Sequence, residues 1–319
     1  MLKTFLKFSF ALVLCYWLFK NGKLDFSLLS QAFHLGYLWI WGVILLVSRL
    51  LFCPLRFKIL LDTKSKTPVP YLKVFAFDAI GNLFSVILPG AAAGDVVRFF
   101  YYKNVSSEVT SGMIAAFLTI DRLIGLMGLM GLAIAVTAFN YTSFIQLSPQ
   151  LVSLFIINAA VFIFLCIFMF FIFSKWFPKK KIESILAKCL HRWPKALVIL
   201  TDILNIELGF SNFIKCFILS VLNQTFVVAG FWLLISPFIP ESTSFLKVFT
   251  ILPIGFIGSS LPIAPAGLGV GHVLFDNLFR LIQIDNGASL FNIFFVVNIF
   301  VCLLGLIPYL IVRAESHDK

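Results

Sequence analysis

Four ionisable residues stand in stretches that are otherwise almost wholly apolar: Asp95, Arg98, Asp121 and Arg122. Asp95 and Arg98 are three apart, which on a helix places them on one face. Asp121 and Arg122 lie about ten residues into an apolar run that starts near residue 112, hence about 15 Å along it. Charge at that depth in hydrocarbon is costly, so such residues face a partner, a bundle interior or a water-filled cavity. Adjacent helical residues point in different directions, so Asp121 and Arg122 cannot share one partner. The economical pairings across two helices are Arg98 with Asp121, or Arg122 with Asp95. An arginine that keeps donors free suits a phosphate headgroup, because its planar fork binds phosphate bidentately. The same four residues could instead form a buried ion network that only ties helices together, and both readings stand at this point.

Other polar residues surround these four. Asp78, followed one turn later by Asn82, could line a cavity or sit near the interface. His272 is a lone histidine, a residue type that more often satisfies a hydrogen bond than carries a proton. Asn223, Gln224 and Asn298 read as interhelical hydrogen-bond partners. Two clusters of helix breakers accompany the charges: Pro89, Gly90 and Gly94 in one, and Pro262, Pro265, Gly267, Gly269 and Gly271 in the other. Broken helices at membrane depth free N-termini, whose N–H groups and partial positive charge favour an anion. Phosphate is the obvious candidate. The alternative is that the glycines only permit close helix packing.

The elements that must hold these residues are membrane helices. Of 319 residues, 61% are hydrophobic and 12% charged, and mean hydropathy is +1.03. A soluble domain has about 25% charged residues, so a soluble enzyme, a disordered chain and a collagen-like chain are excluded. The near-continuous apolar runs also argue against a transmembrane β-barrel. Full spans are expected at about 5–19, 33–53, 112–139, 151–174, 210–239 and 288–312. Met1 to Lys20 resembles a lipoprotein signal, but bulky Leu14 before Cys15 favours a retained first helix. The interrupted regions 71–102 and 245–282 are expected to be broken hairpins.

The net charge of +11 reads as a membrane-topology signal rather than as nucleic-acid binding. The loop 54–70, with Arg56, Lys58, Lys64 and Lys66, and the stretch 175–195 are the richest in Lys and Arg, so both are expected in the cytoplasm. The link 140–150, which has neither, is expected outside. Parity then requires 71–102 to enter and leave on the cytoplasmic side, and 245–282 to do so from the outside. Both termini are expected to be cytoplasmic. With Trp176, Phe177 and Trp193 among its lysines, 175–209 reads as a basic amphipathic helix on the cytoplasmic leaflet, with anionic lipid expected at 175–195.

The expected fold is therefore an all-α polytopic integral membrane protein with about six full spans and two broken or re-entrant hairpins related as an inverted repeat. It forms a single transmembrane domain over 1–319. The first repeat covers about 33–139, a linker span and basic segment 151–209, and the second repeat about 210–312. The six cysteines include no Cys-x-x-Cys pair and read as small buried side chains. No P-loop, His-Glu-x-x-His, Gly-x-Ser-x-Gly or Rossmann fingerprint is present, and no cofactor or metal is expected.

Three motifs occur in order: Asn82 to Arg98 with Leu-Pro, small residues and Gly-Asp-x-x-Arg; Asp121-Arg122-Leu-Ile-Gly-Leu; and Leu261-Pro-Ile-Ala-Pro-Ala-Gly-Leu-Gly-Val270. Together they resemble the lysylphosphatidylglycerol synthase transmembrane family, also called flippase-like, over essentially the whole chain. That family includes the N-terminal membrane domain of the multiple peptide resistance factor. The resemblance implies movement of a lipid between leaflets, as that domain is associated with flipping aminoacylated phosphatidylglycerol. The lipid-synthesising soluble domain of the resistance factor has no counterpart here, so synthase activity does not carry over. Many members have a glutamate shortly after the Gly-x-Gly motif where this chain has Gly271-His272. A lysyl-lipid substrate is therefore in doubt.

The expected function is a lipid translocase, flippase- or scramblase-like, not an enzyme, in a bacterial inner membrane. Its substrate is a phospholipid or another lipid with a phosphate-bearing headgroup. Asp95, Arg98, Asp121, Arg122, Asn82 and His272 are the expected cavity residues. Two alternatives are open. One is a membrane enzyme or accessory subunit in lipid-headgroup or polyprenyl-linked chemistry, with Asp95 and Asp121 as acid/base or metal-binding groups. The other is a small-solute secondary transporter. The expected partners are membrane lipid as substrate and anionic lipid at 175–195, with no nucleic acid; an oligomer is open.

Overall fold

A computed structural model of the chain describes Leu28, Gln31 and residues 36–65, 67–88, 93–103, 105, 109–145, 148–173, 182–184, 188, 194–204, 206, 208–241, 243–260 and 269–317. All regular structure among them is helical. In chain order the helices are α1 (Tyr37–Asp62), α2 (Tyr71–Ile87), α3 (Ala93–Tyr102), α4 (Ser111–Phe139), α5 (Tyr141–Ile145) and α6 (Pro149–Phe173). They continue with α7 (Pro194–Leu204), α8 (Phe210–Ile235), α9 (Phe245–Ser259), α10 (Val270–Arg280), α11 (Gly287–Leu303) and α12 (Leu306–His317).

Among the described residues, five stretches are long and apolar enough to cross a membrane: Tyr37–Asp62, Ser111–Phe139, Pro149–Phe171, Phe210–Phe238 and Gly287–Val312. They match five of the six expected spans. The expected first helix, 5–19, lies outside the described residues, as do Pro89, Gly90, Pro262, Pro265, Gly267 and most of 175–193. The last stretch is broken at Leu304 and Gly305, between α11 and α12. A Cβ at Gly305 would overlap the carbonyl oxygen of Ala79 in α2, so the chain bends where two backbones touch.

One boundary differs in a way that matters. The expected span 33–53 and basic loop 54–70 put Arg56 and Lys58 in a loop. Instead, α1 runs through Pro54 to Asp62. Leu55, Phe57, Leu60 and Leu61 continue the apolar pattern, and Phe57 and Leu60 are fully buried. At 26 residues the helix is about 39 Å long, against about 30 Å of hydrocarbon. Arg56 is consequently a buried helical residue, only 6% exposed. Asp62 closes the short loop that follows: it pairs with Lys58 and accepts a hydrogen bond from the Val69 amide at 3.1 Å.

The interrupted regions are hairpins of short helices. α2 and α3, of 17 and 10 residues, pack against each other, as do α9 and α10, of 15 and 11 residues. At 1.5 Å per residue, each arm falls short of a bilayer core. Gly269, at φ +77°, precedes α10 in a left-handed conformation that suits glycine.

At the centre α1 and α8 run antiparallel. Gly42 packs on Gly230 and Leu234, the rings of Phe52 and Phe226 lie 5.3 Å apart, Cys53 meets Asn223, and Arg56 meets Ser220. The order helix, hairpin, helix occurs twice, as α1, α2–α3, α4 and as α8, α9–α10, α11. α4 packs on α8 and α9, while α11 packs on α1 and α2. Both first arms open alike, with Leu72-Lys-Val-Phe75 and Leu246-Lys-Val-Phe249, and each has Ile-Gly further along, at Ile80-Gly81 and Ile254-Gly255.

Candidate functional site

The first hairpin meets α1 and α4 around Arg98. This residue occupies a socket made by glycine, for a Cβ at Gly81 would overlap its Cγ and Cδ. Gly94 packs directly on the carbonyl of Gly81, which brings α3 close enough to α2 to place Arg98 there. The guanidinium carbon sits 4.6 Å from the ring centroid of Phe57, a cation–π contact inside the bundle.

Three carboxylates surround that guanidinium. Asp78 Oδ1 lies 2.8 Å from Arg98 Nε, Asp95 Oδ1 lies 3.4 Å from Nη1, and Asp121 Oδ2 lies 3.6 Å from Nη1. The Nε–H is not aimed for a hydrogen bond with Asp78, so that contact is ionic. Asp78 instead accepts a bond of 2.9 Å from the Tyr102 hydroxyl, which also reaches the Val74 carbonyl at 3.1 Å. Arg98 Nη2 is buried and has no hydrogen-bond partner.

Asp121 is held firmly from the other side. Arg56 Nε donates to its Oδ1 at 2.7 Å, and Arg56 Nη1 donates to Ser220 Oγ at 2.9 Å. The Ser220 hydroxyl in turn donates to the Ile124 carbonyl at 3.0 Å. Gly125 and Gly128 let this happen: Gly125 faces the Arg56 guanidinium, and a Cβ at Gly128 would overlap Ser220. Arg122 points the other way, with its side chain 49% exposed, and pairs with Asp95. Both expected pairings, Arg98 with Asp121 and Arg122 with Asp95, therefore occur together.

The result is a connected set of three aspartates (Asp78, Asp95, Asp121) and three arginines (Arg56, Arg98, Arg122). Its formal charge balances, so it has no surplus carboxylate charge to offer a cation. Among the described residues, no group of three or more His, Cys, Asp or Glu could hold a metal ion.

Two expected site residues lie apart from this set. Asn82 is half-buried one turn beyond Asp78 and joins none of these bonds. His272 lies in the second hairpin, 2% exposed, with Nε2 3.4 Å from Asn292 Oδ1 and its ring edge-on to Phe291. Asn223 and Gln224 do bridge helices, to Cys53 and to the Gly125 carbonyl. Arg56, Tyr102 and Ser220 belong to the site and were not expected in it. The signal for Arg56 was available, since apolar residues continue past Pro54.

The second hairpin copies the first with a phenylalanine in place of Arg98. Gly94-Asp-Val-Val-Arg98 corresponds to Gly271-His-Val-Leu-Phe275. A Cβ at Gly255 would overlap the ring of Phe275, just as one at Gly81 would overlap Arg98. Phe275 joins Phe231, Phe256 and Phe291 in an aromatic cluster, with ring centroids 4.7–5.8 Å apart in the pairs Phe275–Phe291 and Phe231–Phe256.

A groove of about 740 Å³ lies between α2 and α12, lined by Leu72, Lys73, Ala76, Phe77, Ile307 and Ile311 among others. Phe77 stands edge-on to Tyr102, which separates this groove from Asp78 by one aromatic layer.

A family model described as Lysylphosphatidylglycerol synthase TM region matches residues 4–308. No curated protein and no solved structure matches the chain.

Proposed function

This chain belongs to the lysylphosphatidylglycerol synthase TM region family, and on that premise we propose that it translocates a lipid with a phosphate-bearing headgroup between leaflets. Arg98 carries the reading. Its side chain is 12% exposed, its Nη2 is buried with no hydrogen-bond partner, and two of its three carboxylate contacts are long, at 3.4 and 3.6 Å. A headgroup phosphate could take the free Nη2 and displace the long contacts without breaking the short Arg56–Asp121 pair. Arg56, Asp121 and Ser220 are then the frame, and Arg98 with Asp95 and Arg122 is the exchangeable part.

The two helix–hairpin–helix sets act as inverted repeats, about 33–139 and 210–312, joined by the linker 151–209. The first hairpin enters from the cytoplasm and the second from outside, with cytoplasmic termini. Lipid tails stay in hydrocarbon, and the α2–α12 groove supports this path. Its volume falls within the roughly 300–1,000 Å³ of ligand sites, and Lys73 stands among its lining residues. The balanced charge of the aspartate–arginine set favours carriage of a headgroup over metal-assisted chemistry.

The test is reconstitution in liposomes with labelled lipids of several headgroup classes, following headgroup accessibility to a membrane-impermeant quencher. Wild type is expected to speed exchange of phosphate-bearing lipids, and Arg98→Ala to reduce it to near the rate of empty liposomes. The reading fails if wild type and empty liposomes give equal rates for every class. A covalently altered lipid after incubation would favour an enzyme instead.

A further inference from the structure

Arg49 lies at the thirteenth position of the 26-residue α1, near the middle of a membrane-crossing helix. Among the described residues no carboxylate balances it. Its Nη1 donates to the Asn298 side-chain oxygen and its Nη2 contacts Cys302 Sγ at 3.1 Å, both on α11. Among the described residues it forms no ion pair. The six charges of the Arg98 set already cancel, so among the described residues no carboxylate compensates Arg49. An arginine in this place is expensive when neutral groups are its only partners.

Arg49, Cys53 and Arg56 follow one another at i, i+4 and i+7 along one face of α1. The rise from Arg49 to Arg56 is about 10 Å. Cys53 contacts Asn223 of α8 at 3.8 Å, so polar groups continue from Arg49 to the Arg56–Asp121 pair. The polar strip therefore begins at an unbalanced cation and ends in a balanced network.

We infer that Arg49, with Asn298 of α11, is a second anion station, which takes a phosphate-bearing group about 10 Å along α1 from the Arg98 network. Its place in a translocation path rests on the reading above; its capacity to bind does not. The planar guanidinium keeps its fork toward α11, and the Asn298 amide offers a further donor once its oxygen is released. A phosphate arriving there neutralises Arg49, and the adjacent Arg98 site offers the next position.

The station is tested by binding rather than transport. Purified protein in detergent is titrated with phosphatidylglycerol, with a glycosyl diacylglycerol that lacks phosphate, and with inorganic phosphate, and thermal unfolding is recorded. Wild type is expected to be stabilised by the phosphate-bearing lipid and not by the glycolipid. A response to inorganic phosphate as well means that the station takes a free anion; a response to lipid alone means that it needs the tails. Asn298→Asp places a carboxylate against Arg49 and is expected to raise the melting temperature without ligand. The same change should demand about tenfold more phosphatidylglycerol for half the wild-type shift. Arg49→Gln should lose the same response, and Arg49→Lys should recover part of it. A purely structural Arg49 would give the added stability of Asn298→Asp with an unchanged lipid response, and that result overturns the inference. If liposomes show no exchange while these binding differences hold, the translocase reading falls and the station stands.

Discussion

Replacing Arg56 by Met tests whether the charged set is framed as described. The wild-type side chain makes two short bonds, 2.7 Å to Asp121 and 2.9 Å to Ser220, in a site where Arg56 is 6% and Asp121 3% exposed. Met nearly conserves volume and removes both bonds and one charge. Asp121 is then left with Arg98 at 3.6 Å as its remaining charged partner, and the set holds three carboxylates against two arginines. Stranding one member of a buried pair costs about 3–5 kcal/mol. The double variant Arg56→Met/Asp121→Leu removes both members, leaving Asp78 and Asp95 against Arg98 and Arg122, which balance. It should recover all but about 1 kcal/mol, a coupling of at least about 2 kcal/mol. Unfolding by titration with sodium dodecyl sulfate in mixed micelles, followed by circular dichroism, gives the numbers. A single variant within about 1 kcal/mol of wild type would sink the reasoning, as would a double variant no better than the worse single one.

Two further outcomes follow from the same geometry. Gly81→Ala should lower stability by about 1–3 kcal/mol and depress lipid exchange, because its Cβ would overlap the Arg98 side chain in a packed hairpin; thermal melts and liposome exchange measure both. Tyr102→Phe removes the 2.9 Å bond to Asp78 and should cost about 1.5–3 kcal/mol by the micelle titration, with the helical spectrum unchanged.

Much of the architecture could be read from hydropathy, because a span is a property of a contiguous run. The five described spans and both hairpins follow from runs and their interruptions. The site was legible only in part. Asp95, Arg98, Asp121 and Arg122 stood out as charges inside apolar sequence, and they do meet. The basic residues Arg56, Lys58, Lys64 and Lys66 read as a loop, whereas the helix continues through Pro54, a residue tolerated inside a membrane helix. Arg49 was passed over inside an otherwise apolar run. Its lack of a carboxylate depends on which helix faces it, and no local pattern contains that. The shared Leu-Lys-Val-Phe openings at 72–75 and 246–249 were present in the sequence and register the two hairpins residue by residue.

The matching glycine sockets, one holding a guanidinium and the other a phenyl ring, give the two hairpins unequal freedom to open. Drawing Phe275 out of its socket exposes a ring to lipid, which is as apolar as the cluster it leaves. Drawing Arg98 out strands Asp78 and a guanidinium in hydrocarbon, unless water or a polar guest arrives with the movement. The first hairpin would thus behave as an interlock. On the translocase reading it would release when a headgroup is present to take over the arginine and stay shut otherwise, which would limit leakage of ions.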